Sequence, residues 1–497
     1  MQISIVQMNS KSNDIDHNFR KMKRVIMNEK SEVVIFPALA ITGAGCRDNF
    51  LDAAFIEAQN EKIEELKSLS AEKDIICGVA YKSHNGLYNA VVEFSGGEEK
   101  ILCFKKNLSA DEKKYFVPGN GAEDIEYKGR LLTVTLDEPV AKHMDFILNF
   151  CSEPYRTETL KKRLKNKDFS EIFINPVGIA NNEIFDGRSF VTDKSGNKIL
   201  AAPAFEECIL RYVDSEKLEI LPEQDVDEYE QTVDALSFAL KTFCENNGFK
   251  KVVLGLSGGI DSALTCCLAV KALGRENVVG ITMPSEFSST GSVDDSLRLA
   301  ENLGIECLIK PIKPVFDTFV EKVQEERHYD LAEENLQSRI RALILMNYSN
   351  RNNALLLATG NKSECAMGYC TLYGDTCGGV NLISDVYKTD VYKLSKVFNR
   401  EREIIPESTM TKAPSAELRP DQKDSDSLPE YDVLDKVLRL YFEQRINPER
   451  IRSLCEGVDT DAIIAKVKRN EFKRKQATAG FKISKCSFVK DVDFAVM

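Results

Sequence analysis

Several features typical of membrane or nucleic-acid-binding proteins are missing from this sequence of 497 residues. It contains no run of about 18 apolar residues, so no membrane-spanning helix is expected. Its formal net charge of −12 argues against nucleic acid as the main partner. Internal repeats and low-complexity tracts are also lacking. With 43% hydrophobic and 29% charged residues, the composition is that of an ordinary soluble globular protein.

The sequence also lacks a recognisable export signal, because Met1 to Gln7 predict a first β-strand rather than a signal peptide. Fourteen cysteines without such a signal fit free thiols in a reducing cytosol, so a cytoplasmic protein is expected. Cys365, Cys370 and Cys377 lie close together in sequence. Their spacing is not a familiar zinc pattern, so we interpret them as small buried thiols, with a metal site as the alternative.

Alternating short strands and charged helical segments predict an α/β protein of two domains. Residues 1–220 predict one α/β domain with both parallel and antiparallel strand pairing. An acidic, proline-bearing linker is expected at 221–232. Residues 233–497 repeat strand and helix regularly, which is typical of a doubly wound parallel sheet.

The most informative motif is Ser257-Gly258-Gly259-Ile260-Asp261-Ser262. It follows an apolar run at 252–256 and precedes a helical stretch, so the pattern is strand, glycine turn and helix. Backbone N–H groups at such a turn can hold a phosphate. Asp261 can only accept hydrogen bonds, and beside a phosphate it implies an intervening Mg²⁺. No Gly-Lys-Ser/Thr follows, so the motif is not a Walker loop.

This hexapeptide resembles the SGGxDS loop of the ATP pyrophosphatases, whose domains have the adenine nucleotide alpha hydrolase-like fold. Segments 283–295, 334–341, 359–375 and 414–418 are in addition similar to stretches of the NAD synthetase family, over roughly residues 230–475. The resemblance implies a carbon–nitrogen ligase of NAD biosynthesis. In its reaction ATP adenylates the nicotinate carboxylate of deamido-NAD and releases pyrophosphate. Ammonia then attacks the acyl adenylate to give NAD and AMP.

The resemblance also implies roles for individual residues. Those expected to bind ATP are Ser257, Gly258, Gly259, Ile260, Asp261, Ser262, Ala263, Leu264, Thr359, Lys388 and Ser415. Those expected to bind deamido-NAD are Asn335, Arg339, Glu364, Tyr369, Cys370, Thr371, Leu372 and Lys473. Asp261 and Glu364 would hold Mg²⁺ and, with Lys388, form the catalytic set. Arg339 and Arg341 lie two positions apart on a predicted helix, so at most one of them should face the ligand.

The amino-terminal half resembles the nitrilase (carbon–nitrogen hydrolase) domain, an α/β/β/α sandwich that is fused to glutamine-dependent members of this family. Such domains hydrolyse glutamine with a glutamate base, a lysine and a cysteine nucleophile. Here Ala38 stands where the family has the glutamate. Ungapped counting puts Asp137 at the cysteine position, and the lysine is matched by Lys105. The sequence therefore predicts an inactive amidase domain.

We accordingly expect an enzyme that uses ammonia, either free or supplied by a separate glutaminase. A competing hypothesis is glutamine-dependent synthesis with another nucleophile, such as Cys151 or Cys46. Two further hypotheses are a non-catalytic scaffold derived from a synthetase and an enzyme for a different acyl substrate. The resemblance also implies a homo-oligomer, at least a dimer, and is compatible with an octamer.

Overall fold

The computed structural model describes residues 1–140, 144–166, 168–214, 218–222, 225–488 and 490–496. The chain forms two compact units. Unit 1 comprises Met1–Tyr155 and Thr159–Val226, and unit 2 comprises Arg156–Glu158 and Asp227–Met497. Within the expected linker, residues 223 and 224 lie outside the described part of the chain.

Unit 1 is built mainly from short strands. The strands are β1 Gln2–Gln7, β2 Val33–Ile35, β3 Asp74–Ser83, β4 Gly86–Ser95, β5 Glu98–Phe104, β6 Glu123–Tyr127, β7 Arg130–Thr135, β8 Phe146–Asn149, β9 Glu171–Phe173, β10 Val177–Ala180, β11 Glu183–Asp186, β12 Phe190–Thr192, β13 Lys198–Ala201 and β14 Cys208–Val213. The α-helices are α1 Ile15–Asn28, α2 Ala53–Leu69 and α3 Thr157–Leu164. Single 3-10 turns lie at Arg47–Leu51 and Glu112–Lys114.

These strands form two six-stranded sheets and one hairpin. The first sheet has the order β14-β1-β2-β3-β4-β5, and the second has the order β13-β12-β9-β8-β7-β6. One buried cluster joins side chains of both sheets, such as Ile5, Val91, Val134 and Leu148. A second cluster packs α1 and α2 on the first sheet. This sheet-on-sheet core with flanking helices is the sandwich that the sequence predicts.

Unit 2 alternates strands and helices. Its strands are β15 Lys251–Gly255, β16 Val278–Thr282, β17 Glu306–Ile309, β18 Ala354–Ala358 and β19 Val380–Asn381. Its α-helices are α4 Glu228–Asn247, α5 Ile260–Leu273, α6 Thr290–Leu303, α7 Lys313–Phe319, α8 Leu331–Asn352, α9 Lys362–Met367, α10 Lys388–Phe398, α11 Glu407–Thr411, α12 Tyr431–Leu438, α13 Pro448–Leu454, α14 Thr460–Arg469 and α15 Glu471–Arg474. Short 3-10 turns at Arg275–Asn277 and Asp424–Asp426, and π turns at Val320–Gln324 and Arg439–Glu443, complete the unit.

The five strands of unit 2 form one parallel sheet with the order β17-β16-β15-β18-β19. Val253 packs in a cluster with Ile340 of α8, and its neighbours Val252 and Leu254, which point to the opposite face, are equally buried. A sheet buried on both faces needs helices on both sides. The prediction of a doubly wound parallel sheet is therefore confirmed.

The strand order reverses beside β15, because the chain first builds outward through β16 and β17 and then returns to β18. Ligands of open parallel sheets bind at the carboxyl ends of the strands next to such a switch point. The glycine turn after β15 lies at this position. Among the described residues, no helix has the length and apolar character needed to cross a bilayer.

Candidate active site

The glycine turn joins β15 to α5 and is held in shape by two serines. The hydroxyls of Ser257 and Ser262 lie 3.1 Å apart, and Ser262 also donates to the carbonyl of Gly259 at 3.0 Å. Gly258 has φ +78°, and a Cβ there would lie 2.4 Å from the backbone oxygen of Ser292. Glycine is required at 258 both for this φ and for the close approach of the next loop.

A buried ammonium connects two acidic residues above the start of α5. Lys388, the first residue of α10, donates from Nζ to Asp261, and the same Nζ lies 3.6 Å from Oε1 of Glu364. Asn361 fixes the arrangement, because its side-chain amide donates to Asp261 at 3.0 Å. Asn361 also forms a capping box with Glu364 at the start of α9, which satisfies two backbone N–H groups.

The environment of these groups changes their protonation. Burial, together with the negative charge of Asp261, raises the pKa of Glu364 to about 8. Burial alone would lower the pKa of Lys388, but the charges of Asp261 and Glu364 outweigh it and raise that pKa above its ordinary value. Lys388 therefore carries a positive charge in the protein interior, next to the Asp261 carboxylate and the carboxyl group of Glu364. Hard cations such as Mg²⁺ prefer such oxygen donors, so Asp261 and Glu364 suit the ion that the sequence predicts.

A cavity of about 460 Å³ opens over the glycine turn and this charge cluster. It is lined by most of the residues to which the sequence assigned ligand contacts: Ser257, Gly258, Gly259, Ile260, Asp261, Ser262, Asn335, Thr359, Glu364, Tyr369, Cys370, Thr371, Lys388, Ser415 and Lys473. Lys473 is directed there by bonds from Nζ to the carbonyls of Gly368 and Cys370, both at 2.8 Å. The cavity thus joins segments from the whole length of unit 2.

Four of the expected ligand residues do not line this cavity: Ala263, Leu264, Arg339 and Leu372. Ala263 and Leu264 are buried in α5. Arg339 instead donates from Nε to the carbonyl of Leu372 at 3.2 Å. Arg341 lines the cavity and donates to the carbonyl of Met283. One arginine of the pair thus lines the cavity, in line with a two-residue step that rotates a side chain about 200° around the helix axis, but it is Arg341 rather than the expected Arg339.

Sequence reasoning missed three further residues of the wall, Lys412, Glu417 and Asp424. Asp424 accepts from the hydroxyl of Tyr431 at 2.8 Å, and burial raises the pKa of its carboxyl. Glu417 pairs with Lys412 at 2.7 Å. All three belong to a loop-rich segment of alternating charges, where pattern alone cannot separate a solvated residue from one that faces a cavity.

The clustered cysteines lie in different surroundings. Cys370 and Cys377 line the cavity, whereas Cys365 does not. Burial raises the pKa of each of the three thiols. Within the part of the chain that the structure describes, no group of three His, Cys, Asp or Glu side chains is arranged to hold a metal ion.

In unit 1, Ala38 and Asp137 stand at the positions where the sequence resemblance leads us to expect the base and the nucleophile of an amidase. Ala38 follows β2 and is buried. Asp137 follows β7, and its carboxylate accepts from the backbone N–H groups of Lys106 at 3.1 Å and Asn107 at 2.9 Å. Lys105 is paired with Glu112 at 2.7 Å. The carboxylate at the cysteine position therefore braces the backbone next to Lys105.

Cys151 lies closer to Asp137 than its position 14 residues further along the chain suggests. Thr135 of β7 pairs with Asn149 of β8 in parallel register, so Asp137 and Cys151 each follow their strand by two residues. The charges of both Lys105 and Asp137 act on the Cys151 thiol, yet burial raises its pKa to about 12. Cys46 is also buried, and this raises its pKa to about 11.

Fold and cavity together define a nucleotide-binding enzyme of the ATP pyrophosphatase type that is fused to a carbon–nitrogen hydrolase sandwich. Residues 232–477 match the NAD synthase family, and residues 2–134 match the carbon–nitrogen hydrolase family. The glutamine-dependent NAD(+) synthetase of Aquifex aeolicus is 37% identical, with 99% of this chain and 98% of the relative covered. That of Thermotoga maritima is 34% identical, with 99% and 97% covered. The chain belongs to the NAD synthetase family.

Solved structures agree with this assignment. The glutamine-dependent NAD+ synthetase of Acinetobacter baumannii, in complex with ADP, has a TM-score of 0.76 at 30% identity and covers 99% of this chain and 98% of its own. That of Cytophaga hutchinsonii has a TM-score of 0.82 at 19% identity, with 98% and 96% covered, and shows the shared fold. All four relatives are named as glutamine-dependent. The comparisons thus confirm the expected family and give no support to the expected use of ammonia.

Proposed function

We propose that this chain adenylates deamido-NAD with ATP, which releases pyrophosphate, and that ammonia then attacks the adenylate to give NAD and AMP. The observation that carries the proposal is the cavity at the switch point of the parallel sheet. It brings the glycine turn, Asp261, Glu364 and Lys388 together. A carboxylate is a poor electrophile, and transfer of AMP to it builds negative charge on the α-phosphoryl group. Fixed positive charge at that group should therefore account for much of the rate.

Different residues of the cavity would bind different parts of ATP and Mg²⁺. The N–H groups of 257–260 and the hydroxyls of Ser257 and Ser262 would bind phosphate oxygens. Lys388 would face the α-phosphoryl group, and its burial would strengthen the attraction between its ammonium and the phosphoryl oxygens. Mg²⁺, held by Asp261 and Glu364, would neutralise further charge on the phosphates. Thr359 and Ser415 would contact the rest of ATP.

The other end of the cavity suits the dinucleotide substrate. The hydroxyl of Thr371 donates to Asn335 at 2.7 Å, and the backbone N–H of Thr371 donates to Asp375 at 2.8 Å. The first bond ties the turn after α9 to α8, and the second closes the turn itself. Tyr369, Cys370, Lys473 and Arg341 complete a wall of cationic and polar groups. We propose that it binds deamido-NAD, whose phosphates and nicotinate carboxylate carry negative charge.

For the nitrogen donor we propose ammonia, either free or delivered by a separate glutaminase. Ala38 has no proton-accepting group, and Asp137 cannot act as a thiol nucleophile. Burial raises the pKa of each of the five thiols of unit 1: Cys46, Cys77, Cys103, Cys151 and Cys208. A thiol attacks as its thiolate, so none of the five is activated at neutral pH. Unit 1 would then have a structural role, and assembly into a dimer or larger homo-oligomer stays a prediction.

Glutamine is the second candidate donor. The names of the relatives favour it, and Cys151 lies where the charges of Lys105 and Glu153 both act on its thiol. In this case Cys151 would be the nucleophile. Bound glutamine would have to lower the pKa of that thiol, because a thiol with a pKa near 12 is almost fully protonated at neutral pH.

One assay separates the two donors. NAD formation is measured with deamido-NAD, ATP and Mg²⁺, with ammonium chloride in one arm and ammonia-free glutamine in the other. We expect product with ammonium alone, and the same rate for Cys151→Ala. Product with glutamine that disappears in Cys151→Ala would establish the second candidate. Glutamine-supported product that survives this replacement would contradict both assignments in unit 1. Absence of product in both arms would contradict the proposed function.

A further inference from the structure

A carboxylate of the chain itself lies within a cluster of anion-binding groups at the cavity wall. Oε1 of Glu417 accepts from Nζ of Lys412 at 2.7 Å and from the hydroxyls of Ser292 at 2.7 Å and Ser289 at 3.0 Å. Oε2 accepts from the backbone N–H of Ser289 at 3.3 Å. Lys412 donates to the Ser292 hydroxyl as well. An ammonium, two hydroxyls and an N–H group thus surround a single negative charge.

This cluster borders the glycine turn. The backbone oxygen of Ser292 is so close to Gly258 that a Cβ on this glycine would lie only 2.4 Å from it. On the other side, Thr409 of α11 donates to the carbonyl of Gly258 at 3.3 Å. Ser292, Lys412 and Glu417 line the same cavity as Ser257 to Ser262. The cluster therefore adjoins the glycine turn and lines the same cavity.

The donors around Glu417 are those that phosphoryl oxygens accept from. Partial burial alone would raise the pKa of Glu417, but the bonds from Lys412 and Ser292 lower it below its ordinary value, so the carboxylate is charged at neutral pH. Glu417 has φ +48°, a conformation that residues other than glycine rarely adopt.

We propose that Lys412, Ser289 and Ser292 form a subsite for the terminal phosphoryl groups of the nucleotide, which Glu417 occupies until a phosphate displaces it. The β- and γ-phosphates of ATP bind there before adenylation, and pyrophosphate binds there after the α–β bond is broken. Exchange of one anion for another leaves the Lys412 ammonium paired throughout. The identity of the nucleotide rests on the proposed function, whereas the subsite itself is testable without turnover.

The competing explanation is that the ion pair of Lys412 and Glu417 has only a structural role and holds its own loop against the segment around Ser292. In that case, removing either partner would disturb the loops in the same direction. Displacement predicts opposite directions instead, because Lys412 attracts the phosphate and Glu417 competes with it. The signs of the two effects therefore distinguish a phosphate subsite from a structural ion pair.

The test is calorimetric titration of the full chain, in Mg²⁺, with pyrophosphate, ATP and AMP in separate arms. The variants are Lys412→Met, Glu417→Gln and, as a control, Lys310→Met, an exposed lysine that does not line the cavity. Lys412→Met should weaken pyrophosphate and ATP binding roughly tenfold or more, the size expected for a lost charge-assisted hydrogen bond. Glu417→Gln should tighten pyrophosphate binding. AMP, which has no terminal phosphates, should bind all four proteins equally.

Three results would overturn the subsite: unchanged pyrophosphate binding by Lys412→Met, weaker pyrophosphate binding by both variants, or an equal loss of AMP binding by Lys412→Met. The titrations also separate this proposal from the proposed function. If NAD synthesis fails with both nitrogen donors, the proposed function is wrong, but the measured pyrophosphate affinities still test the subsite. Normal NAD synthesis with unchanged pyrophosphate binding in Lys412→Met would remove the subsite alone.

Discussion

Lys388 donates from its ammonium to the carboxylate of Asp261, although 127 positions of sequence separate the two residues. The lysine begins α10 and the aspartate lies in the first turn of α5. Lys388 is buried, whereas Asp261 is partly open to the cavity. The contact therefore presents a positive charge at the cavity wall that bulk water screens only weakly.

Replacing this lysine should abolish most of the activity. Lys388→Met leaves Asp261 and Glu364 without their counter-charge and removes a fixed positive charge from the reacting phosphate. We expect kcat/KM for NAD formation to fall at least about a hundredfold, the scale of losing one preorganised electrostatic contact. Lys393→Met, on the exposed surface of the same helix, is the matched control. A Lys388→Met rate near that of the control, with both proteins folded by thermal unfolding, would contradict the role.

The glycine turn permits a test in which backbone strain is held constant. Gly258 and Gly457 both have φ +78°, but a Cβ on Gly457 meets no atom within 4 Å. Gly457→Ala should cost about 1–2 kcal/mol of unfolding free energy through strain alone. Gly258→Ala should cost about 1–3 kcal/mol more through its clash with Ser292, and should lose ATP binding. Equal urea midpoints for the two variants would argue against the close contact.

The pH dependence of stability should reveal the environment of Glu364. Because its pKa is raised to about 8, the folded metal-free protein keeps a proton that the unfolded chain releases near pH 4.5. Between these values the unfolded state binds fewer protons, so stability falls as pH rises. Relative to Glu364→Gln, the unfolding free energy should fall by up to about 1.4 kcal/mol per pH unit. Urea unfolding of both proteins in EDTA at pH 5.5 and 7.5 measures this difference; a constant difference would contradict the raised pKa.

A second buried lysine should matter for folding. Lys362 is fully buried, and its Nζ lies 3.0 Å from Asp385 and 2.8 Å from Glu443. Lys362→Met leaves two buried carboxylates without their cation and should cost about 3–5 kcal/mol. Lys313→Met breaks an exposed pair with Asp317 and should cost at most about 1 kcal/mol. Similar unfolding free energies for the two variants would mean that the buried cluster relaxes or takes up water.

The local pattern predicted much of unit 2. The apolar run at 252–256 corresponds to β15, and the expected alternation of strand and helix continues through β16, β17 and β18. The sequence does not predict β19, because a strand of two residues is too short to show an alternation of apolar and polar residues. In unit 1 the prediction that the amidase lacks its base and nucleophile rests only on the identities of Ala38 and Asp137, and it stays a prediction.

The sequence by itself determined the chemistry of the glycine turn, the parallel sheet around it and the family, since all of these depend on residue types at short spacing. Only the tertiary structure decided that Arg341 rather than Arg339 lines the cavity, and that Glu417 meets Ser292 across 125 positions. It also decided the raised pKa of Glu364. Desolvation and charge interactions depend on which distant segments pack together, and no local pattern of residues encodes those distances.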